Sequence, residues 1–263
     1  MMDVLIVGAG TMGRWFGDVV DGSVAFADVD EDAAARAAER AGGRVAPIEP
    51  STDEESFDVV CIAVPMGHVA ETIARQAGRA DGAIVDVTGV MEPALEAMAT
   101  HAPERERLSL HPLFAPDRAP GSIAVVRAAE GPLTDAVLAA LEDAGNELVE
   151  TTAAEHDTAM ESVQAAAHAS VLAFALAAAR VPKGFETPIY AQLRGLAERM
   201  SAGTPRVYAD IQAEFDGADA VATAADRIAD ADPGEIESLL REAAADWRLE
   251  EDSTSDWESG ERR

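Results

Sequence analysis

The sequence predicts an α/β chain: a doubly wound, largely parallel sheet at the N-terminus, followed by an all-helical domain. Three observations predict it. Apolar runs and helical stretches alternate through the first 150 residues. A glycine-rich turn follows the first of those runs. Beyond residue 150 only helical periodicity remains.

The apolar runs fall at 3–7 (DVLIV), 23–27, 57–64 (FDVVCIAV), 82–87, 107–110, 122–127 and 146–149, with helical stretches such as 30–41 and 67–79 between most of them. Continuous rather than alternating apolar runs are what strands covered on both faces require, and the βαβ rhythm implies a parallel sheet. In "VLIVGAGTMG" the first strand runs into Gly8, Gly10 and Gly13. The first glycine permits a tight turn, the second lets a pyrophosphate approach the backbone, and the third lets a helix pack against the strand. The motif opens the chain, follows a strand and precedes a helix, so a Rossmann-type dinucleotide site is expected. Asp28 ends the second strand. An acid there accepts from a ribose 2′-hydroxyl and repels a 2′-phosphate, which favours NAD over NADP. It could equally be a turn residue in the acidic run "DVDED".

The pattern changes in "TTAAEHDTAMESVQ", where Thr152 and Glu155 form a capping box. The expected division is an α/β domain over 1–150, a helical domain over 151–247, and a charged, serine-rich tail over 248–263 that is expected to be disordered. The run 163–181 is long enough to span a membrane, but it is alanine-rich and carries Gln164 and His168. It reads as a buried helix.

The net charge of −29 argues against nucleic acid and anionic membranes as partners. Lys183 is the only lysine. Such acidity with so little lysine is the composition of a halophile's protein, whose surface carboxylates hold water and salt. Cys61, the single cysteine, reads as a small buried hydrophobe, and no disulfide can form within one chain. "MMDVLIVGAG" lacks the basic start of a signal peptide, so a cytoplasmic location is expected. No metal site is expected.

Gly8, Asp28, Pro65, Thr88 and His111 all fall at predicted strand ends, where open parallel sheets bind ligands. His111 precedes Pro112, which holds the backbone before it extended. A histidine there is either a capping residue or a proton acceptor for an alcohol being oxidised. In the helical domain Asp157, Glu161, Gln164 and His168, spaced 4, 3 and 4 apart, would share one helix face. Arg199 and Tyr208 lie on later helices.

With these stretches in place the chain resembles the prephenate dehydrogenase family of tyrosine biosynthesis. The resemblance rests on "VGAGTMG", "AVPM" (63–66), "DVTGVM" (86–91), "HPLFAP" (111–116), "AAEHDTAMESVQAAAHA" (153–169), "PIYAQLRGLAERM" (188–200) and "YADI" (208–211). It implies a Rossmann-type domain and a helical, homodimer-forming domain with the active site between them. It also implies NAD-dependent oxidative decarboxylation of prephenate to 4-hydroxyphenylpyruvate. His111 would take the ring hydroxyl's proton as hydride leaves, and Arg199 would hold a substrate carboxylate. His168, Tyr208, Gln164 and Thr88 would line the substrate. Gly8, Gly10, Thr11, Met12, Gly13, Asp28, Val64 and Pro65 would hold the cofactor.

Two departures stand out. Gly89 and Met91 replace the serine and lysine of the family's usual "DVTSVK". The serine commonly supports the catalytic histidine, so Thr88 or a water would have to substitute. No chorismate mutase segment precedes residue 1, so a monofunctional enzyme is expected. The rivals are an arogenate dehydrogenase and a non-catalytic NAD-binding sensor. A β-hydroxyacid dehydrogenase would need a lysine in its second domain, and Lys183 lies in an expected loop.

Overall fold

The computed structural model describes residues 2–50, 55–179, 181–182 and 184–254, with side chains described as far as residue 245. Lys183 lies outside them. The chain begins with β1 (Met2–Val7), α1 (Thr11–Val19), β2 (Gly22–Ala27), α2 (Glu31–Ala41) and a two-residue β3 (Arg44–Val45). Next come β4 (Phe57–Ile62), α3 (Val69–Gln76) flanked by 3₁₀ turns, β5 (Ala80–Asp86), α4 (Glu92–His101) and β6 (Glu106–Pro112). The sheet is completed by β7 (Ser122–Ala129), α5 (Pro132–Asp143) and β8 (Glu147–Glu150).

The eight strands lie in the order β3-β2-β1-β4-β5-β6-β7-β8. All neighbours are parallel except β6 and β7. Side chains alternate between faces, as the pleat requires. Val4 and Ile6 of β1 face α1, α2 and α5 through Phe16, Ala34, Ala38, Leu138 and Leu141. Leu5 and Val7 face α3 and α4 through Val69, Ile73, Ala94 and Met98. Continuous apolar runs therefore became doubly covered strands. Local signals fix the helix ends: Asp30 caps α2 by accepting from Ala33 N–H, and Gly42 closes it in the left-handed region at φ +65°.

Two features of the sheet differ from expectation. β3 is only two residues long and follows Gly42 and Gly43, so no apolar run announces it. β7 runs antiparallel to β6, because residues 113–121 are too few for a helical crossover.

The capping box at Thr152 and Glu155 starts α6 (Ala153–Met160). A π-helix (Glu161–Ala166), α7 (Ala167–Ala177), α8 (Pro188–Ala202), α9 (Pro205–Glu214), α10 (Gly217–Asp230) and α11 (Pro233–Thr254) follow. Met160, Ala165, Ile211 and Phe215 continue the core of the α3–α4 face into this region. One expectation is corrected here. The run expected to form a buried helix contains α7, of which no residue is buried in the single chain, because its apolar side chains find only a few helical neighbours. The backbone of α11 runs as far as Thr254, into the stretch read as a tail, and residues 255–263 lie outside the described residues. The 4-3-4 stripe passes through the π-helix, which widens the turn between Glu161 and Ala166. No helix among the described residues is long and apolar enough to cross a membrane.

Candidate active site

The carboxyl ends of β1, β2, β4, β5 and β6 lie along one edge of the sheet, and the order reverses between β1 and β4. That reversal is the crevice in which open α/β sheets hold ligands. Gly8, at φ +108°, turns the chain there; a Cβ on it would lie 2.2 Å from the Ala63 carbonyl oxygen. A Cβ on Gly13 would lie 1.9 Å from the Gly8 carbonyl oxygen, so α1 can approach the turn this closely only with glycine at 13. A Cβ on Gly10 would meet nothing within 4 Å. Its backbone faces open space at the start of α1, where Thr11 and Met12 follow. The three glycines thus fit the three roles read from their spacing, and the loop fits a dinucleotide pyrophosphate. Asp28 accepts from Ala9 N–H at 2.6 Å and from Asp30 N–H at 2.9 Å, tying the glycine loop to the end of β2. Val64 and Pro65 follow β4 on the same edge.

His111 lies within β6 and is buried, with 8% of its surface exposed. Its Nδ1 is 2.8 Å from His156 Nε2, and His156 Nδ1 is 2.7 Å from Asp157 Oδ1. On the other side, Gln164 Nε2 lies 3.2 Å from His111 Nε2. Gly89, at φ +93°, closes the same side: a Cβ on it would sit 3.1 Å from His111 Nε2. A side chain at 89 would therefore press directly on the imidazole. Burial, and then the neighbouring His156, lower His111 to a pKa of about 3, which the Asp157 carboxylate partly opposes. The imidazole is thus uncharged at neutral pH.

Asp157 also accepts from Met91 N–H at 3.1 Å and Glu92 N–H at 3.0 Å, at the start of α4. Burial would raise its carboxyl. The hydrogen bonds from His156, Glu92 and Met91 outweigh that and hold it below the ordinary carboxylate value. Met91, the departure from the family's lysine, contributes its backbone here rather than a charge.

Thr88 does not substitute for the family serine. Its hydroxyl donates to Asp86 Oδ2 at 2.6 Å, and its N–H donates to the same oxygen at 3.0 Å. The partners of His111 are His156 and Gln164. Asp86 is fully buried beneath them, and burial raises its carboxyl to about 6 against the Thr88 hydrogen bonds. Its Oδ1 has no hydrogen-bond partner. Ser109, on the neighbouring strand, is near enough to ease that charge but forms no well-made hydrogen bond.

The other expected substrate residues form a second group. The His168 ring on α7 stands edge-on to Tyr208 on α9, with centroids 5.0 Å apart. His168 Nδ1 is buried without a partner, and burial lowers its pKa. Arg199, on α8, is exposed and belongs to neither group. It makes no ion pair with a described residue, whereas Arg194, Arg206, Arg227 and Arg241 of the same region all do. Sequence reasoning missed His156. It adjoins Asp157, and a search for residues three and four apart on one face passes over an immediate neighbour.

No family model matches the chain. It is 30% identical over 239 residues to the 4-amino-4-deoxyprephenate dehydrogenase of Streptomyces pristinaespiralis, covering 85% of this chain and 81% of that protein. Among solved structures it is similar to prephenate dehydrogenase from Aquifex aeolicus in complex with hydroxyphenyl propionate and NAD+, with a TM-score of 0.69 at 16% identity and 98% of each chain covered. It is also similar to the arogenate dehydrogenase of Synechocystis, with a TM-score of 0.59 at 16% identity over 98% of this chain and 99% of that one. The glycine loop, the buried histidine at the end of β6 and the Streptomyces relative agree: the chain belongs to the prephenate dehydrogenase family.

Proposed function

We propose that the protein is an NAD-dependent dehydrogenase that oxidises and decarboxylates prephenate to 4-hydroxyphenylpyruvate. The observation that carries this reading is His111: a buried, uncharged imidazole at the carboxyl edge of the sheet, with the Gln164 amide nitrogen 3.2 Å from its Nε2 and Gly89 beside it adding no side chain. The glycine loop and Asp28 would hold NAD, with Val64 and Pro65 alongside; when bound, NAD supplies the hydride acceptor. His111 Nε2 takes the proton of the ring hydroxyl as its carbon becomes a carbonyl. The hydroxyl of such a carbon becomes strongly acidic as hydride leaves, so a base of low pKa is sufficient. Loss of the ring carboxylate as carbon dioxide then makes the ring aromatic, and the phenolate oxygen takes its proton back from His111.

Arg199 would hold a substrate carboxylate, since it is a guanidinium with no partner among the described residues of a strongly acidic chain. On this reading Arg199→Gln raises KM for prephenate about 10- to 150-fold, the cost of a lost charge-assisted pair. The protein would act as a homodimer through its helices. α7 and α8 have no buried residue, and Leu172, Leu176, Ile189 and Leu196 stand exposed.

A second reading is oxidation of 4-amino-4-deoxyprephenate, the substrate named for the Streptomyces relative. Gly89 favours it by leaving room beside His111 Nε2, where the distinguishing ring substituent would lie. NADH formation with prephenate, arogenate and 4-amino-4-deoxyprephenate side by side tests both readings. The first expects the highest kcat/KM with prephenate. Turnover of none of the three would leave a dinucleotide-binding protein without this activity.

A further inference from the structure

With the amide nitrogen of Gln164 facing His111, one placement of protons satisfies all three hydrogen bonds along Asp157, His156, His111 and Gln164. The Asp157 carboxylate is an acceptor only, so His156 Nδ1, 2.7 Å away, must carry the hydrogen. Neutral His156 then presents a lone pair at Nε2. His111 Nδ1, 2.8 Å from it, must donate. His111 Nε2 is left with a lone pair, and the amide nitrogen of Gln164 donates to it at 3.2 Å. The opposite placement, with His156 Nε2 donating to His111, would put a hydrogen on His111 Nε2 facing the Gln164 N–H. The acceptor-only group at one end and the amide donor at the other end agree.

We propose that Asp157 and His156 are positioning residues that lock His111 in its Nδ1–H tautomer, so that Nε2, the nitrogen that Gln164 meets, is the proton acceptor. They do for this chain what no side chain at position 89 can do. The same carboxylate binds Met91 N–H and Glu92 N–H at the start of α4, directly after the turn that carries Gly89. One residue of α6 thereby orients the imidazole from behind and anchors the loop in front of it. When Nε2 takes up a proton, the Nδ1–H bond to His156 and the charge of Asp157 stabilise the imidazolium without moving another heavy atom.

The kinetic part of the test rests on the dehydrogenase reading; the spectroscopic part does not. The full chain is labelled with ¹⁵N-histidine, and long-range ¹H–¹⁵N correlations are recorded at neutral pH. His111 is assigned by the loss of its signals in His111→Asn. Wild type is expected to show a neutral His111, protonated at Nδ1 and unprotonated at Nε2. His156→Leu removes the acceptor and should lose that tautomer, with kcat falling by about 10²-fold or more while KM changes little. Holding a catalytic histidine in the wrong tautomer costs up to about 10⁴-fold. His156→Gln, whose carbonyl can still accept from Nδ1, should keep the tautomer and recover most of the rate. An Nε2-protonated His111 in wild type overturns the proposal. So does His156→Leu with an unchanged tautomer or with kcat within about threefold of wild type. If no substrate turns over, the spectra of wild type and His156→Gln decide alone.

Discussion

The α/β region and the helical region differ in how they bury apolar surface. The central strands β1, β4 and β5 are covered on both faces, and Leu5, Ile6, Val60, Ile62 and Val85 have essentially no exposure. After Glu150 the buried apolar residues among those described are Met160, Ala165, Ile211 and Phe215, while Leu176 and Ile189 are 80% and 73% exposed. The first region holds itself together within one chain. The second carries an apolar face that the chain alone does not cover. His111 lies on the α/β side of the boundary, and its partners His156, Asp157 and Gln164 lie on the other. Chemistry that needs all four therefore depends on the helical region being seated.

The largest expected break in that comparison is Leu172→Asp with Leu176→Asp. If a second copy covers α7, two buried carboxylates there should weaken self-association by more than about 10³-fold, since several kcal/mol are lost at a desolvated contact. Light scattering should show a monomer, and activity should fall with it. Low salt should act in the same direction, because each chain carries a net charge of −29. At about 1 M salt the Debye length is roughly 3 Å and that repulsion is screened; at about 0.1 M it is not. A dimer equally stable from about 0.1 M to above 1 M potassium chloride would contradict the halophilic reading.

The next comparison is truncation on either side of the boundary. Ile84→Ala, in the middle of β5, should cost about 2–5 kcal/mol in denaturant unfolding of the α/β region. Leu176→Ala should cost that region under about 0.5 kcal/mol while weakening association. Equal costs would mean that the two regions form one cooperative unit.

A smaller effect comes from Asp86. Its native pKa of about 6 lies above its unfolded value, so the native state binds the extra proton between roughly pH 4 and 6. Its contribution to stability falls as pH rises through that window and is fully unfavourable above it. Asp86→Asn keeps an acceptor for Thr88 and adds a donor toward Ser109. It should stabilise the protein by about 1–3 kcal/mol at pH 8 and by nothing near pH 4. His111 works in the opposite sense. With its native pKa lowered to about 3, its stabilising contribution is present above pH 6.5 and is lost as pH falls toward 3. Destabilisation by Asp86→Asn at pH 8 would show that the carboxylate has a partner that compensates its burial.

Much of the fold was legible because its signals are local. Strands buried on both faces must be continuous apolar runs, and Thr152 with Glu155 is a self-contained cap. His111 and the three glycines could be placed because strand ends in such a sheet gather on one edge. What was not legible depends on contacts distant in sequence. β3 is two residues paired to a neighbour. The π-helix appears where Gly217 packs against the Glu161 carbonyl oxygen and the Ala166 N–H, and where Gln212 donates to the Ala165 carbonyl. That widened turn, absent from any periodicity, accompanies the delivery of Gln164 to His111 and of His168 to Tyr208. The antiparallel β7 was readable in principle from the short connection before it. The exposed face of α7 was not, because an apolar helix that its own chain leaves uncovered has the same pattern as one packed in a core.

The most direct test of the account is His111→Asn assayed for NADH formation from prephenate at saturating substrate. Asparagine can still bond to His156 but cannot take up the proton. The account predicts that kcat falls by about 10²- to 10⁴-fold with little change in KM, the size of a lost general base. A kcat near that of wild type would contradict it and return His111 to a buried residue of the strand end.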